Sequence, residues 1–261
     1  MVTLLYRAMT VGPVVKRVAA AAPEHIQGLR DGRKLPDGLI VRWGSIYPGN
    51  GPALNSAQAV ATARDKSESR ALLGDLAPRT WFAEGDTNPE FPCIVRPANH
   101  HAGGHFYVCH TPEEYGRAIQ RCGAGWYASE LVNKTHEYRV FVCQGHVICV
   151  SERFPASPDA VAWNLAMGGR LINVRYKEWP VSVLQASLTA AQRLNLDWCA
   201  LDVAVDGNRI VVFEANTAPG LRNPFTIKQI ARVFSWIDGN GSPEPRVKEA
   251  TWKTLVHPAL L

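Results

Sequence analysis

Residues Leu201 to Leu221 read LDVAVDGNRIVVFEANTAPGL, and this stretch constrains the chain more than any other. Two apolar runs, Ala200 to Val205 and Ile210 to Phe213, meet across Asp206-Gly207-Asn208, a connection of hairpin-closing type. The second run ends in Glu214-Ala215-Asn216 instead of more apolar residues. Strict alternation puts Glu214 and Asn216 on one face with Val212 and Ile210. Folding back across the turn brings Asp202 toward Glu214. Two carboxylates and an amide then converge at one end of an apolar ribbon, where repulsion and desolvation are costly unless a cation sits among them. Hard oxygen donors, few of them supplied by protein, suit Mg²⁺ shared with phosphates. The competing reading has Asp202 capping a strand, with Glu214 and Asn216 in a solvated loop before Pro219-Gly220.

The 261 residues allow one large or two modest domains. A hydrophobic content of 46% with 20% charged residues leaves no case for disorder, and no apolar run approaches the length of a membrane span. The first residues are broken by Arg7, Gly12-Pro13 and Lys16-Arg17, which speaks against a secretory signal, so a cytoplasmic protein is expected. The six cysteines form no CxxC pair, and most sit in apolar strand-like runs where a thiol behaves as a small hydrophobe. The His100 to His105 cluster invites a zinc reading, but histidines at i and i+4 chelate on a helix, and Gly103-Gly104 argue against one. The net charge of +5 is spread without a basic run and marks no clear nucleic-acid site.

The pattern along the chain predicts an α/β (α+β) protein. A small α/β unit over 1–54 comprises a strand Thr3 to Arg7, a helix Pro13 to Ala22, a polar loop and a strand Gly38 to Trp43. One helix is expected over Asn55 to Leu76. Strands follow at Cys93 to Arg96 and Phe106 to Cys109, then a helix with Thr111 as N-cap and Pro112 at its first position. Further strands are expected at Trp126 to Val132, Glu137 to Val142 and His146 to Val150, and a helix over Val181 to Leu194 precedes the hairpin. Subdomains are expected over 55–132 and 133–261.

Interleaved hairpins and helices, a glycine-containing loop between two strands and an acidic hairpin near the end together resemble the ATP-grasp superfamily from about Asn55 to Leu221. Phe213-Glu214-Ala215-Asn216-Thr217-Ala218-Pro219-Gly220 looks like the EANTSPG signature of the D-alanine:D-alanine ligases. The resemblance implies that Asp202, Glu214 and Asn216 hold Mg²⁺ ions bridging ATP phosphates. Asp65-Lys66 is similar to the family's first phosphate-contacting lysine. Phe91 to Pro97 resembles its FPVVVKP strand, with Arg96 where a lysine usually touches the nucleotide. Gly103 and Gly104 stand in the position of a phosphate-covering flap. The resemblance places adenine against Glu130, Leu131 and Val132, and the ribose against Glu137. Arg139, Arg153 and Asn164, within a pattern closer to the branch that adds glutamate to ribosomal protein, are implied to surround the transferred phosphoryl group.

Two features depart from the family. Ala200 stands where D-alanine:D-alanine ligases carry an arginine for the oxyanion site, and the preceding domain is about half the usual size. The implied activity is an ATP- and Mg²⁺-dependent ligation of a small-molecule or peptide carboxylate to an amine, or to a thiol, through an acyl phosphate. The rivals are a phosphotransferase of the same fold acting on a hydroxyl, and an ATP-binding or partner-binding module without turnover. GxxxxGK, GxSxG and HExxH motifs are absent, which removes the commonest competing chemistries.

Overall fold

The computed structural model describes residues 1–7, 11–49, 51–85, 88–98, 106–123, 125–241, 243 and 251–261. The expected flap, with Gly103 and Gly104, lies outside them. The chain opens on a parallel sheet in the order β2-β1-β3-β4, built from β1 (Val2–Tyr6), β2 (Ile26–Arg30), β3 (Ile40–Trp43) and β4 (Ala53–Leu54). The short IQGLR strand β2 was not expected from the pattern. Gly28 lies at its centre, where a Cβ would come within 2.8 Å of Val15 on α1 (Gly12–Ala20), so the missing side chain lets the crossover helix pack on its own sheet.

The single helix expected over Asn55 to Leu76 is broken into α2 (Ala57–Arg64) and α3 (Lys66–Leu73). Asp65 is extended (ψ 114°), and its carboxylate accepts the Glu68 amide at 2.9 Å, so it caps a new helix. Lys66 therefore opens a helix, and its side chain turns toward the hairpin.

The second sheet is antiparallel, in the order β5-β8-β6-β7, from β5 (Thr80–Phe82), β6 (Cys93–Pro97), β7 (Tyr107–Cys109) and β8 (Trp126–Glu130). The helix α4 (Pro112–Cys122) starts at the expected Thr111 cap and buries Tyr115 and Ala118 against Cys93, Val95, Trp126 and Ala128. Alternation aims the residues between them, Ile94, Arg96, Tyr127 and Ser129, at the other face.

The third sheet runs β11-β10-β9-β12-β13, from β9 (His136–Cys143), β10 (His146–Phe154), β11 (Arg170–Asn173), β12 (Trp198–Asp206) and β13 (Arg209–Asn216). Helix α5 (Val181–Arg193) covers one face, packing Val183, Leu184 and Ala190 on Val140, Val142, Leu201 and Val203. On the other face Phe141, Trp198 and Ala200 join Val41 and Trp43 of the first sheet and Ile230 and Phe234 of α6 (Pro224–Asn240) in one core. Of these, Val41, Phe141, Ile230 and Phe234 each contribute about 1.5–3 kcal/mol on leaving water. Among the described residues no helix is long and apolar enough to cross a membrane.

After α7 (Trp252–Leu255) the chain docks on β10, with Val256 bridging Val147 and the His257 amide donating to the Val147 carbonyl at 2.9 Å. The His257 ring is fully buried beside Trp236 and His146, and its Nδ1 accepts the Ala259 amide at 3.2 Å. Burial first, and the neighbouring His146 second, draw its pKa down to about 3. The unfolded chain binds a proton here near pH 6.5 and the folded chain does not. Stability from this group is thus complete above pH 6.5 and is lost on acidification, at about 1.4 kcal/mol per pH unit. Urea unfolding at pH 7.5, 6.0 and 5.0 should show this slope, and His257→Gln should flatten it. Equal slopes for both proteins would show that His257 is not held neutral.

Candidate active site

The hairpin of β12 and β13 pairs Asp202 directly with Glu214, but Val203 then pairs with Val212, leaving Phe213 as a bulge. The bulge resets the alternation. Val212 and Ala215 both enter the α5 core, so Glu214 and Asn216 share the opposite face, not the face of Val212 and Ile210 that strict alternation predicts. This places them beside Asp202. Register then carries the face across the sheet, with Asp202 opposite Arg139 and Arg139 opposite Ser151, while one step along Glu137 stands opposite Arg153. Phe141, Trp198 and Ala200 lie on the same face at the apolar end. Ala200 is fully buried there, so the position that the resemblance assigned to an oxyanion-site arginine belongs to the core of this chain.

The polar row is tightly compensated. Arg139 donates through Nε and Nη2 to the two oxygens of Asp202, at 2.8 and 2.9 Å. Arg153 donates through Nη2 to both Asp202 oxygens at 2.8 Å and through Nη1 to Glu137 at 2.5 Å. Lys134 takes the other Glu137 oxygen at 2.5 Å, its ammonium lying 4.7 Å from the Trp163 ring centre and 5.5 Å from that of Phe213. Burial by itself would raise the Asp202 pKa, but the two guanidiniums outweigh it and hold the carboxyl down to about 2. Burial also opposes the charge on Arg153, and Asp202 and Glu137 reverse this and raise its pKa. Glu214 is nearly half exposed and pairs with Lys66 at 3.1 Å. Asn216 folds its Oδ1 back to accept the Ala218 amide at 2.9 Å.

These groups line a cavity of about 440 Å³ between the second and third sheets, within the range of small-ligand sites. Lys66, Arg96, Glu130, Leu131, Val132 and Glu137 all reach it, as do Arg139, Arg153, Asn164, Asp202, Glu214 and Asn216. Among the described lining residues six are cationic and four acidic, a balance that favours a polyanion. Arg96 presents to the wall an Nε with no hydrogen-bond partner among the described residues, and it hydrogen-bonds the buried Tyr127.

Glu130 is less available than its place in the sequence implies. Its carboxylate accepts from the Arg79 amide at 2.9 Å and from Arg209 Nη1 and Nη2 at 3.0 and 2.5 Å. Burial opposes its ionisation, but Arg209 and Arg79 together keep its pKa below the usual carboxylate range. It ties β8 to the start of β13, joining the two sheets that flank the cavity. Asn164 caps a short 3₁₀ turn, Leu165–Met167, by accepting the Met167 amide at 3.0 Å.

The sequence reading missed several lining residues: Arg70, Phe106, Tyr127, Ser129, Lys134, Trp163 and Phe213. Arg70 carried a signal, since it lies four residues after Lys66 and thus on the same helix face. Tyr127 and Ser129 follow from the same alternation that places Ile94 and Arg96. Burial leads the forces on Arg70 and draws its pKa to about 10, against the attraction of Tyr127 and Glu214.

Asp202, Glu214 and Asn216 fit a hard divalent cation in their donor chemistry, two carboxylates and an amide at one sheet end. Among the described residues no cluster of three or more His, Cys, Asp or Glu is placed to hold a metal unaided. A cation here therefore needs further oxygens, which a bound phosphate supplies.

Two antiparallel sheets gripping a cationic cavity, with an acid-acid-amide set at its floor, make this chain an ATP-grasp fold. No family model matches the sequence. It is 26% identical over 245 residues, covering 81% of this chain and 80% of that protein, to a probable alpha-L-glutamate ligase of Vibrio vulnificus (strain YJ016). Among solved structures it resembles the ATP-grasp ligase PsnB complexed with minimal precursor, Mg and ADP (TM-score 0.64, 14% identity, covering 89% of this chain and 96% of that one). It also resembles D-alanine–D-alanine ligase from Bacillus anthracis (TM-score 0.63, 15% identity, 90% and 93% covered).

Proposed function

We propose that the chain is an ATP- and Mg²⁺-dependent ligase that activates the carboxylate of a small molecule or peptide as an acyl phosphate and joins it to an amine. The observation that carries this reading is the row Glu214, Asp202 and Arg139, with Arg153 one step along, on the floor of a cationic cavity in an ATP-grasp fold. The ligase names of its relatives support the same chemistry.

In this reading Lys66 and Arg96 hold the nucleotide phosphates, Leu131, Val132 and Phe213 bound its base, and Glu137 meets the ribose. Gly103 and Gly104, outside the described residues, are assigned to the phosphate cover by the resemblance alone. Asp202, Glu214 and Asn216 hold Mg²⁺, which when bound neutralises phosphate charge and polarises the transferred group. Arg139 and Arg153 then stand beside that group, and Asn164 steadies it from the facing loop. The substrate carboxylate oxygen bonds to the terminal phosphorus as ADP leaves. The amine next attacks the acyl carbon, phosphate departs, and the amine proton is released. No side chain acts as nucleophile, so the chain works by positioning and charge neutralisation.

A matrix of amino acids and amines, assayed with MgATP for ADP release, tests the reading. ADP should appear only when a carboxylate and an amine are both present, with one free phosphate and one new amide per ADP. Phosphate retained on a hydroxyl would instead make the protein a phosphotransferase. Tight MgATP binding without any ADP release would make it a binding module.

A further inference from the structure

The four acids among the described lining residues are each taken by cations: Glu130 by Arg79 and Arg209, Glu137 by Lys134 and Arg153, Asp202 by Arg139 and Arg153, and Glu214 by Lys66. Among the described lining residues two cations are left without an acid, Arg70 and Arg96. Arg70 has five N–H donors. Among the described residues it spends one, in a long hydrogen bond from Nη1 to the Val212 carbonyl at 3.3 Å, beside the strand bulge. Its charged neighbours are Glu214, Arg96 and Glu130, with the Tyr127 hydroxyl beside them. It rises from the face of α3 that carries Lys66, one turn away. Lys66, Arg70 and Arg96 thus gather three cations about Tyr127 and the edge of the hairpin that carries Glu214.

We infer that Arg70 binds the terminal phosphates of the nucleotide, as a further binding residue that works with Lys66 and Arg96. A guanidinium offers phosphate a planar fork of donors, and here the fork is already anchored at one tip by the Val212 carbonyl, so little rotamer freedom is lost on binding. The assignment rests on the nucleotide reading of the cavity. It adds that affinity through Arg70 depends on the number of phosphates rather than on the base.

Titration calorimetry of the full chain with ATP, ADP and AMP in Mg²⁺ buffer tests it, using wild type, Arg70→Met and Arg70→Lys. Arg70→Met should weaken ATP by about 10- to 150-fold, the range of a charged hydrogen bond. ADP should weaken less, and AMP less than about threefold. Arg70→Lys keeps the charge and a donor for Val212, so it folds even where the Met variant does not, and it should lose less ATP affinity with the same ordering. Equal losses for all three nucleotides would reduce Arg70 to a support for the bulge and overturn the assignment, as would unchanged ATP binding in both variants. A wild type that binds none of the three would remove the nucleotide reading itself and this assignment with it.

Discussion

Asp202→Asn should be the most destabilising single change in the cavity, by about 3–5 kcal/mol, with turnover lost. Asp202 is 8% exposed and accepts four hydrogen bonds from Arg139 and Arg153, so its removal leaves two guanidiniums facing one another in a poorly solvated place. The neutral amide keeps the shape but loses the charge both arginines require. The pH dependence follows from the depressed pKa. Asp202 is ionised in both states above about pH 4, so its stabilisation is complete there. It is lost as pH falls toward 2, an effect worth about 2 kcal/mol. Asp202→Asn should abolish that part of the acid limb. Urea unfolding of the variant and of Asp202→Asn/Arg139→Met measures both effects, and the second substitution should restore part of the loss because it removes one stranded charge. A loss below 1 kcal/mol in the single variant would mean that solvent, not Asp202, compensates the arginines.

The hairpin was legible because its signal is local: apolar runs, a turn of hairpin type, and acids at one strand end. That folding back brings Asp202 toward Glu214 followed from the turn, but their direct pairing did not, because the turn register alone sets Asp202 opposite Phe213. The facing of Glu214 and Asn216 did not follow either, because a bulge at Phe213 changes the alternation without any residue that announces it; Phe is as ordinary in a regular strand as in a bulge. The break at Asp65 was legible in retrospect, since Asp followed three residues later by Glu is a cap pattern, but the Ala-rich run around it reads as one continuous helix. Helix α6 needed no such subtlety. Asn223-Pro224 and the spacing of Ile227, Ile230, Phe234 and Ile237 mark it plainly, although it was not among the expected elements. Strand β2 was hidden by its two polar residues and central glycine.

In the cavity, motif order brought together residues from Lys66 to Asn216 that no periodicity relates. What it did not convey was partnership. Glu130 and Glu137 look like free acceptors in sequence, but folding brings Arg79 and Arg209 to the first and Lys134 and Arg153 to the second, from positions up to 79 residues away. Charge compensation is a property of three-dimensional neighbours. Among the described residues the surplus of Arg70 and Arg96 becomes visible only after each lining acid has been assigned a cation.

Glu214→Gln should do the opposite of Asp202→Asn: leave the fold intact and remove the function. Glu214 is 46% exposed at its side chain, and its pairing with Lys66 is screened by solvent, so its loss should change stability by less than about 1 kcal/mol. A carboxylate that holds Mg²⁺ against phosphate contributes a charge the amide lacks. The rate of ADP release should fall by about 10²- to 10³-fold, the scale seen when one preorganised electrostatic contact is removed. Thermal unfolding with and without MgATP separates the two effects. Wild type at a hundredfold excess over Kd should gain about 2.7 kcal/mol from the ligand, and Glu214→Gln should gain little, while the two apo proteins unfold together. Should the variant keep the whole ligand-induced shift and its turnover, Glu214 holds no metal, and the acid at the end of the hairpin serves only to pair with Lys66. Because Asp202→Asn strands buried arginines as well as removing a cation ligand, while Glu214→Gln removes only a cation ligand, only the first should lower apo stability, and only the second should leave a well-folded protein that no longer responds to MgATP.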